Sequence, residues 1–169
     1  MSEDDGDFSA FASARWGPMV RSAIVLGCTV DQAHDLVQST LMRCYIKWAK
    51  VQRADNRDAY VYRVLLNCYR DSRRRHWWGE RPTDTLPDAG VADTADGVAV
   101  ADAIHRAMRD LSHDHREVVV LRYYAQMTEA QTAQFLGTSL GTVKSRHSRA
   151  MAKLAVSPHL SDISEGHLS

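Results

Sequence analysis

The chain has 169 residues, 44% of them hydrophobic and 25% charged. That is enough for one ordinary domain or two small helical ones, and too apolar for wholesale disorder. No apolar run reaches the length needed to cross a bilayer. The opening Met1-Ser2-Glu3-Asp4-Asp5-Gly6-Asp7 is acidic, the opposite of a signal peptide's basic start, so export is not expected. Lys plus Arg and Asp plus Glu both number 21, giving a formal net charge of zero. As an average that argues against a nucleic-acid binder, but the charges are segregated. Arg70 to Trp78 is basic. Pro82 to Asp102 carries Asp84, Asp88, Asp93, Asp96 and Asp102 with no Lys or Arg. Leu140 to Leu154 carries Lys144, Arg146, Arg149 and Lys153 with no acid. Two basic elements flank an acidic connector.

Gly and Pro are scarce, and the apolar periodicity is helical nearly throughout. Phe8 to Leu26 reads as a helix that Pro18 should kink or break. Thr29 with Gln32 forms a capping box that opens a second helix, whose apolar stripe is Leu36, Thr40, Leu41, Cys44, Tyr45 and Trp48. Another helix starts near Asp55, buries Val61, Val64, Leu65 and Cys68, and runs into the arginine cluster. The cysteines Cys28, Cys44 and Cys68 are odd in number and widely spaced. They suit neither a zinc knuckle nor a disulfide framework, so buried thiols in a reducing cytoplasm are expected.

From Gly79 to Gly97 the composition turns to Pro, Gly, Asp, Thr and Ala, the mark of a linker. Helical patterning returns with the stripe Ala101, Ile104, Met108 and Leu111. Ser112 then caps a helix that includes Val118, Leu121 and Arg122. The expected architecture is all-α: two small helical domains, 1–78 and 98–157, joined by an acidic flexible linker, 79–97, and followed by a polar tail, 158–169. The second domain carries a helix-turn-helix.

Thr128 with Gln131 makes another capping box, and Ala133, Leu136 and Gly137 close a short helix. Thr138-Ser139 can cap the next, with Leu140, Val143, Ala150, Met151 and Leu154 inward. Ala133, Gly137 and Val143 supply the small contact, the left-handed turn and the apolar anchor that a helix-turn-helix needs. Outward lie Thr142, Lys144, Ser145, Arg146 and Arg149, residue types suited to base edges and phosphates in a major groove. With Thr138 and Ser139 they form the expected duplex-binding set. An ordinary hairpin with a solvated basic face is the plainer alternative, and the turn signature tells against it. His147, four residues after Val143, is expected to be partly buried and hydrogen-bonded rather than a ligand.

Arg70, Arg73, Arg74 and Arg75 stand beside Tyr69, Trp77 and Trp78. Cations interleaved with aromatics suit a strand whose bases are unstacked. A solvated helix end whose cations complement the helix dipole would explain two arginines, not four with two tryptophans. No metal-ligand spacing, nucleophile elbow or phosphate loop appears, so an enzyme, a metal or another cofactor is not expected.

Ala33-His34-Asp35-Leu36-Val37-Gln38, followed by Tyr45 and Trp48, resembles the first conserved domain of bacterial sigma factors. Ala59-Tyr60-Val61-Tyr62-Arg63-Val64-Leu65-Leu66-Asn67 and the arginines after it resemble that domain's promoter-melting helix. Arg116-Glu117-Val118-Val119-Val120-Leu121-Arg122-Tyr123-Tyr124 and Gly141-Thr142-Val143-Lys144-Ser145-Arg146 resemble the second. The wording is most similar to an actinobacterial branch of the small extracytoplasmic-function group. Thr132 and His147 depart from the apolar residues usual there. The resemblance implies that Asp35, Leu36, Gln38, Leu41 and Tyr45 dock on core RNA polymerase. It implies that Trp48, Tyr60, Arg63, Asn67, Arg70, Arg73, Arg74, Arg75 and Trp77 act at the minus-ten element of promoter DNA. The helix from Leu140 would read the minus-thirty-five element, and an anti-sigma protein is a candidate further partner. A two-domain helix-turn-helix regulator with a sensory N-terminal half is the alternative.

Overall fold

The computed structural model describes residues 2–76 and 95–161. Within them the backbone is helices and turns, with no strand. They fall into two compact units, one within Met1–Pro87 and one within Asp88–Ser169. Trp77, Trp78 and most of the acidic stretch lie outside the described residues. Helix α5 begins at Ala95, so residues 95–97 at the end of that stretch are helical. A helical turn at 158–161 opens the tail.

In the first unit, Ser2 caps α1 (Glu3–Val25) in a capping box with Asp5. Pro18 does not break this helix. Its missing N–H deprives the carbonyl of Ala14, an exposed residue, of its usual donor. Ser22 Oγ donates to the Pro18 carbonyl at 2.9 Å. Burial of Phe11 on one side of Pro18, and of Met19, Val20, Ala23 and Ile24 on the other, holds both halves in register. A turn at Gly27 (φ +111°) leads to α2 (Val30–Ile46), opened by the Thr29–Gln32 capping box. The short α3 (Trp48–Arg53) follows, then α4 (Arg57–His76).

Helix α2 packs against both α1 and α4, and α3 packs against α4. Leu36, Thr40, Leu41 and Cys44 are buried as the α2 stripe requires, while Tyr45 stays exposed. On α4 the buried set is Val61, Tyr62, Leu65, Leu66, Cys68 and Tyr69; Val64 is only half-buried. Two phenols tie α4 to α1: Tyr69 donates to the Leu26 carbonyl at 2.8 Å, and Tyr62 accepts from Ser22 at 3.4 Å. All three cysteines are free and buried. Burial pushes the Cys28 and Cys44 thiols up to about 12, with the neighbouring Cys68 adding to the effect at Cys44, which marks them as inert core groups.

In the second unit, α5 (Ala95–Arg109) buries Ala103, His105, Ala107 and Met108, with Leu111 just beyond. Ile104, expected inward, is 41% exposed. Ala103 and Ala107 face the core instead and roll the stripe away from Ile104; the side chain of Ala101 lies outside the described residues. Ser112 caps α6 (His113–Val119) as its sequence suggests. The helix then widens into a π turn over Val120–Tyr124, closed by Ala125 N–H donating to the Val120 carbonyl at 3.1 Å. Arg122 donates to the Met127 carbonyl beyond it.

The Thr128–Gln131 box opens α7 (Glu129–Leu136). Thr132 is fully buried, and its hydroxyl is satisfied by the Thr128 carbonyl at 2.8 Å, which is how a hydroxyl sits at an aliphatic position. Gly137 closes α7 in the left-handed conformation, φ +65°. Its N–H goes to Gln134 and that of Thr138 to Ala133, a Schellman pattern. Ser139 then caps α8 (Leu140–Ala155). Val118, Ala133 and Val143 form a cluster with Leu136 against it, so α6, α7 and α8 meet at one point.

A side chain at Gly137 would meet nothing within 4 Å, so its conformation alone sets the cost of substitution. Gly137→Ala should lower stability by about 1–2 kcal/mol, and Gly137→Asn by less, because asparagine tolerates this conformation. Urea unfolding followed by far-UV circular dichroism checks the order; equal effects of the two would assign the loss to something other than backbone conformation.

Candidate nucleic-acid and protein interfaces

Val143 and Ala150, both fully buried, define the inward side of α8. Helical spacing then turns Gly141, Ser145, Ser148 and Ala152 the opposite way, with Lys144 and Arg149 flanking them. Lys144, Ser148 and Arg149 are exposed, and Ser145 is half-buried. Ser148 lies on the outermost line of the helix and was missed in the sequence, although it stands three residues after Ser145 and so shares its face. Leu140, expected inward, is 43% exposed at the helix start. Met151 and Leu154 are half-buried.

Arg146 departs from expectation. It sits on the flank of α8 facing α6, its Nη2 3.1 Å from Asp114 Oδ2. An acid does therefore lie beside this basic surface. It comes from the first turn of α6, and packing of α6 on α8 brings it there. On the same flank, two turns further on, Lys153 Nζ donates to the Asp110 carbonyl. Thr138 leads into the cap; Ser139 Oγ accepts the Thr142 N–H at 3.1 Å and shares a 2.8 Å hydrogen bond with Thr142 Oγ1. His147 is half-buried. Its Nε2 lies 2.9 Å from the Tyr123 hydroxyl, with the rings stacked at 5.8 Å. It is a packed, hydrogen-bonded histidine.

On α4, Tyr60, Arg63, Asn67, Arg70 and Arg74 fall three and four residues apart and form one stripe opposite the buried set. Asn67 and Arg74 are exposed, and Tyr60, Arg63 and Arg70 are half-buried. Arg75 is exposed to one side. Arg73 folds back over the Tyr69 ring, 5.7 Å from its centroid. Tyr69 itself is 5% exposed with its hydroxyl engaged on Leu26, so it belongs to the core and offers no face to a base. Trp48, placed at the minus-ten element by resemblance, is likewise core: 5% exposed, with Phe8 at 5.2 Å and Phe11 at 5.3 Å. Trp77 lies outside the described residues.

The outer face of α2 carries Asp35, Gln38, Met42, Tyr45 and Ile46, all exposed. Leu36 and Leu41, each 7% exposed, point into the unit and serve packing, because the α2 stripe they share is buried between α1 and α4. In their place Met42 (62% exposed) and Ile46 (75%) put an apolar patch around Tyr45. Apolar residues four apart on an otherwise polar edge were the signal that could have found them. Tyr45 donates to Asp5 Oδ1 at 2.7 Å. That bond holds the Asp5 carboxyl below its ordinary range and the Tyr45 phenol above its own. Asp4 and Asp7 accept from Gln52, and Asp7 lies 3.9 Å from Arg57.

Among the described residues no group of three His, Cys, Asp or Glu side chains could hold a metal ion, and no helix is long and apolar enough to cross a membrane. Residues 14–79 match the model for Sigma-70 region 2 and residues 107–155 that for Sigma-70, region 4. The first span contains the α2 face and the α4 stripe, the second α6 to α8. The chain is 37% identical over 153 residues to the RNA polymerase sigma-E factor of Streptomyces avermitilis, spanning 88% of this chain and 83% of that one. It is 30% identical over 141 residues to the ECF RNA polymerase sigma factor EcfG of Rhodopseudomonas palustris, spanning 82% and 78%. The sigma factor RpoE of Bartonella quintana, solved in complex with the anti-sigma factor NepR, superimposes with a TM-score of 0.58 at 27% identity, covering 88% of this chain and 94% of that one. A match to region 2 across the N-terminal half leaves no place there for a sensory domain. The chain belongs to the extracytoplasmic-function group of RNA polymerase sigma factors.

Proposed function

We propose that this sigma factor docks on core RNA polymerase through the outer face of α2 and directs transcription initiation through two DNA contacts, one from each unit. One observation carries the reading and recurs in both units: a helix buried along one stripe turns a polar, basic stripe the other way. On α4 that stripe is Tyr60, Arg63, Asn67, Arg70 and Arg74; on α8 it is Lys144, Ser145, Ser148 and Arg149. The α8 face suits the major groove of the minus-thirty-five element, with Arg149 able to grip a guanine and Lys144 a phosphate. The α4 face suits the minus-ten element once the strands part, where cations hold the backbone of an unstacked strand.

The protein supplies binding and no chemistry of its own. The acidic stretch 79–97 joins the two contacts, so each raises the effective concentration of the other. A net charge of zero keeps sequence-independent DNA affinity low, since that affinity scales with the phosphates neutralised. DNA binding then depends on polymerase, which places the protein's work in the cytoplasm. Bartonella quintana RpoE is bound by NepR. An anti-sigma protein that covers the α2 patch or the α8 face would silence this chain.

Three measurements test the assignment. Replacing Met42 and Ile46 together by Asp should abolish capture of core polymerase while leaving helical content intact, since both side chains are exposed; undiminished capture would remove α2 from the docking face. Arg149→Ala should cost about 1–3 kcal/mol in upstream binding and relax base preference, whereas Lys144→Ala should weaken all sequences alike; competition with promoter variants separates them, and an intact base preference in Arg149→Ala would be fatal. Arg70→Ala with Arg74→Ala should leave closed complexes bound but unable to open. A template with a pre-melted bubble should restore part of the transcription, because unstacking has been done in advance. Permanganate footprints of exposed thymines report opening directly, and normal opening on linear DNA would reduce the stripe to a solvated helix face.

A further inference from the structure

The four cations of α8 are not equivalent. Lys144 and Arg149 are exposed on the outer side, while Arg146 and Lys153 are both engaged by the corner between α5 and α6. Arg146 meets the Asp114 carboxylate at 3.1 Å, and Lys153 meets the Asp110 carbonyl. Asp114 stands in the first turn of α6, two residues after its Ser112 cap. The packing of α6 on α8 places it beside the recognition helix.

The arginine is 29% exposed and the aspartate 57%, and a half-exposed pair of this kind adds little to stability. Its effect on DNA is another matter. A guanidinium releases counterions from DNA only in so far as it neutralises a phosphate. An arginine already facing a carboxylate has spent part of its charge, and a phosphate that approaches it must also approach Asp114. The carboxylate and the phosphate offer the same two-oxygen geometry to the guanidinium fork, so they compete for one position.

We propose that Asp114 is a positioning residue that acts as an intramolecular stand-in for a DNA phosphate: by holding Arg146 it withholds one sequence-independent contact from α8. This rests on the reading that α8 enters the groove. Base preference stays with the outer face. What Asp114 sets is how strongly the protein holds DNA of any sequence, and how steeply that hold falls with salt.

The test uses holoenzyme reconstituted from the full chain and core polymerase. Binding is measured between 50 and 200 mM salt on a promoter fragment and on one with its upstream element scrambled. Asp114→Asn should tighten both fragments by the same factor and leave their ratio unchanged. It should also steepen the salt dependence by close to one phosphate, an additional loss of about threefold across that range. Arg146→Gln together with Asp114→Asn removes both charges and should leave affinity and salt slope as in the parent chain, since the arginine's charge is already withheld. Arg146→Gln alone leaves the carboxylate without its partner and should weaken both fragments alike, and Asp114→Glu should behave as the parent. The proposal is overturned if the double variant flattens the slope by one phosphate, if Asp114→Asn leaves the slope unchanged, or if Asp114→Glu behaves as Asp114→Asn. Failure of the underlying reading is seen separately: replacing Lys144 and Arg149 by Ala would then leave the preference for the intact upstream element unaltered.

Discussion

Everything α8 can offer to a partner depends on how little of it is committed to the core. Val143 and Ala150 are its only fully buried residues, and Val143 alone joins the cluster of Val118, Ala133 and Leu136. A valine in that pocket fixes roll and depth while leaving the opposite side of the helix to solvent. A wider apolar stripe would have held the helix more firmly and consumed positions that now carry Lys144 and Arg149. The left-handed Gly137 serves the same end, because it brings α7 round to deliver Ala133 and Leu136 to that valine.

In the first unit the corresponding constraint is polar. Apolar burial along α4 is broad, running through Val61, Tyr62, Leu65, Leu66, Cys68 and Tyr69, and apolar contact is not directional. The phenols of Tyr62 and Tyr69 supply direction: each has a specific partner on or just beyond α1, and a buried hydroxyl left without one is costly. They hold α4 at one roll angle, which keeps Tyr60, Arg63, Asn67 and Arg70 on the outer side. Zero net charge is thus compatible with DNA binding because both units segregate charge by face. The carboxylates gather on the first turn of α1 and in the acidic stretch, the cations on α4 and α8.

Local chemistry was legible from the sequence, and tertiary contact was legible chiefly at the helix-turn-helix, where Ala133 and Val143 meet as expected. The boxes at Thr29–Gln32 and Thr128–Gln131, the Ser112 and Ser139 caps and the Gly137 turn all stand where residues three or four apart demand them, since both partners lie within one turn of helix. The helical class, the two-domain plan and the buried thiols followed from periodicity and spacing. Of the kink or break expected at Pro18, the break does not occur, because α1 packs along α2 on the far side of the proline as well. Ile104 and Leu140 misled because a hydropathy stripe is wider than the contact that uses it, and the alanines of α5 give the closer approach. Nothing near Val120 announced a π turn. Asp114 lies far from Arg146 in the chain, and no spacing rule connects them. Trp48 was placed at the minus-ten element by resemblance alone, whereas periodicity had put it in the apolar stripe, and its burial against Phe8 and Phe11 follows the stripe.

The dependence of α1 on α4 also sets an order of events at the ribosome. Helix α1 carries Met19, Val20, Ala23 and Ile24, all of which end fully or almost fully buried. Helix α2 can cover part of that surface soon after it emerges, across the short Gly27 turn. The remaining partners, Asp58 for Arg15, Tyr62 for Ser22 and Tyr69 for Leu26, come about 40 residues later. At roughly 5–20 residues per second the nascent chain therefore shows an incompletely covered apolar helix for a few seconds. The acidic first turn of α1 gives that interval a charged, self-repelling segment beside the apolar one, which disfavours association between neighbouring nascent chains.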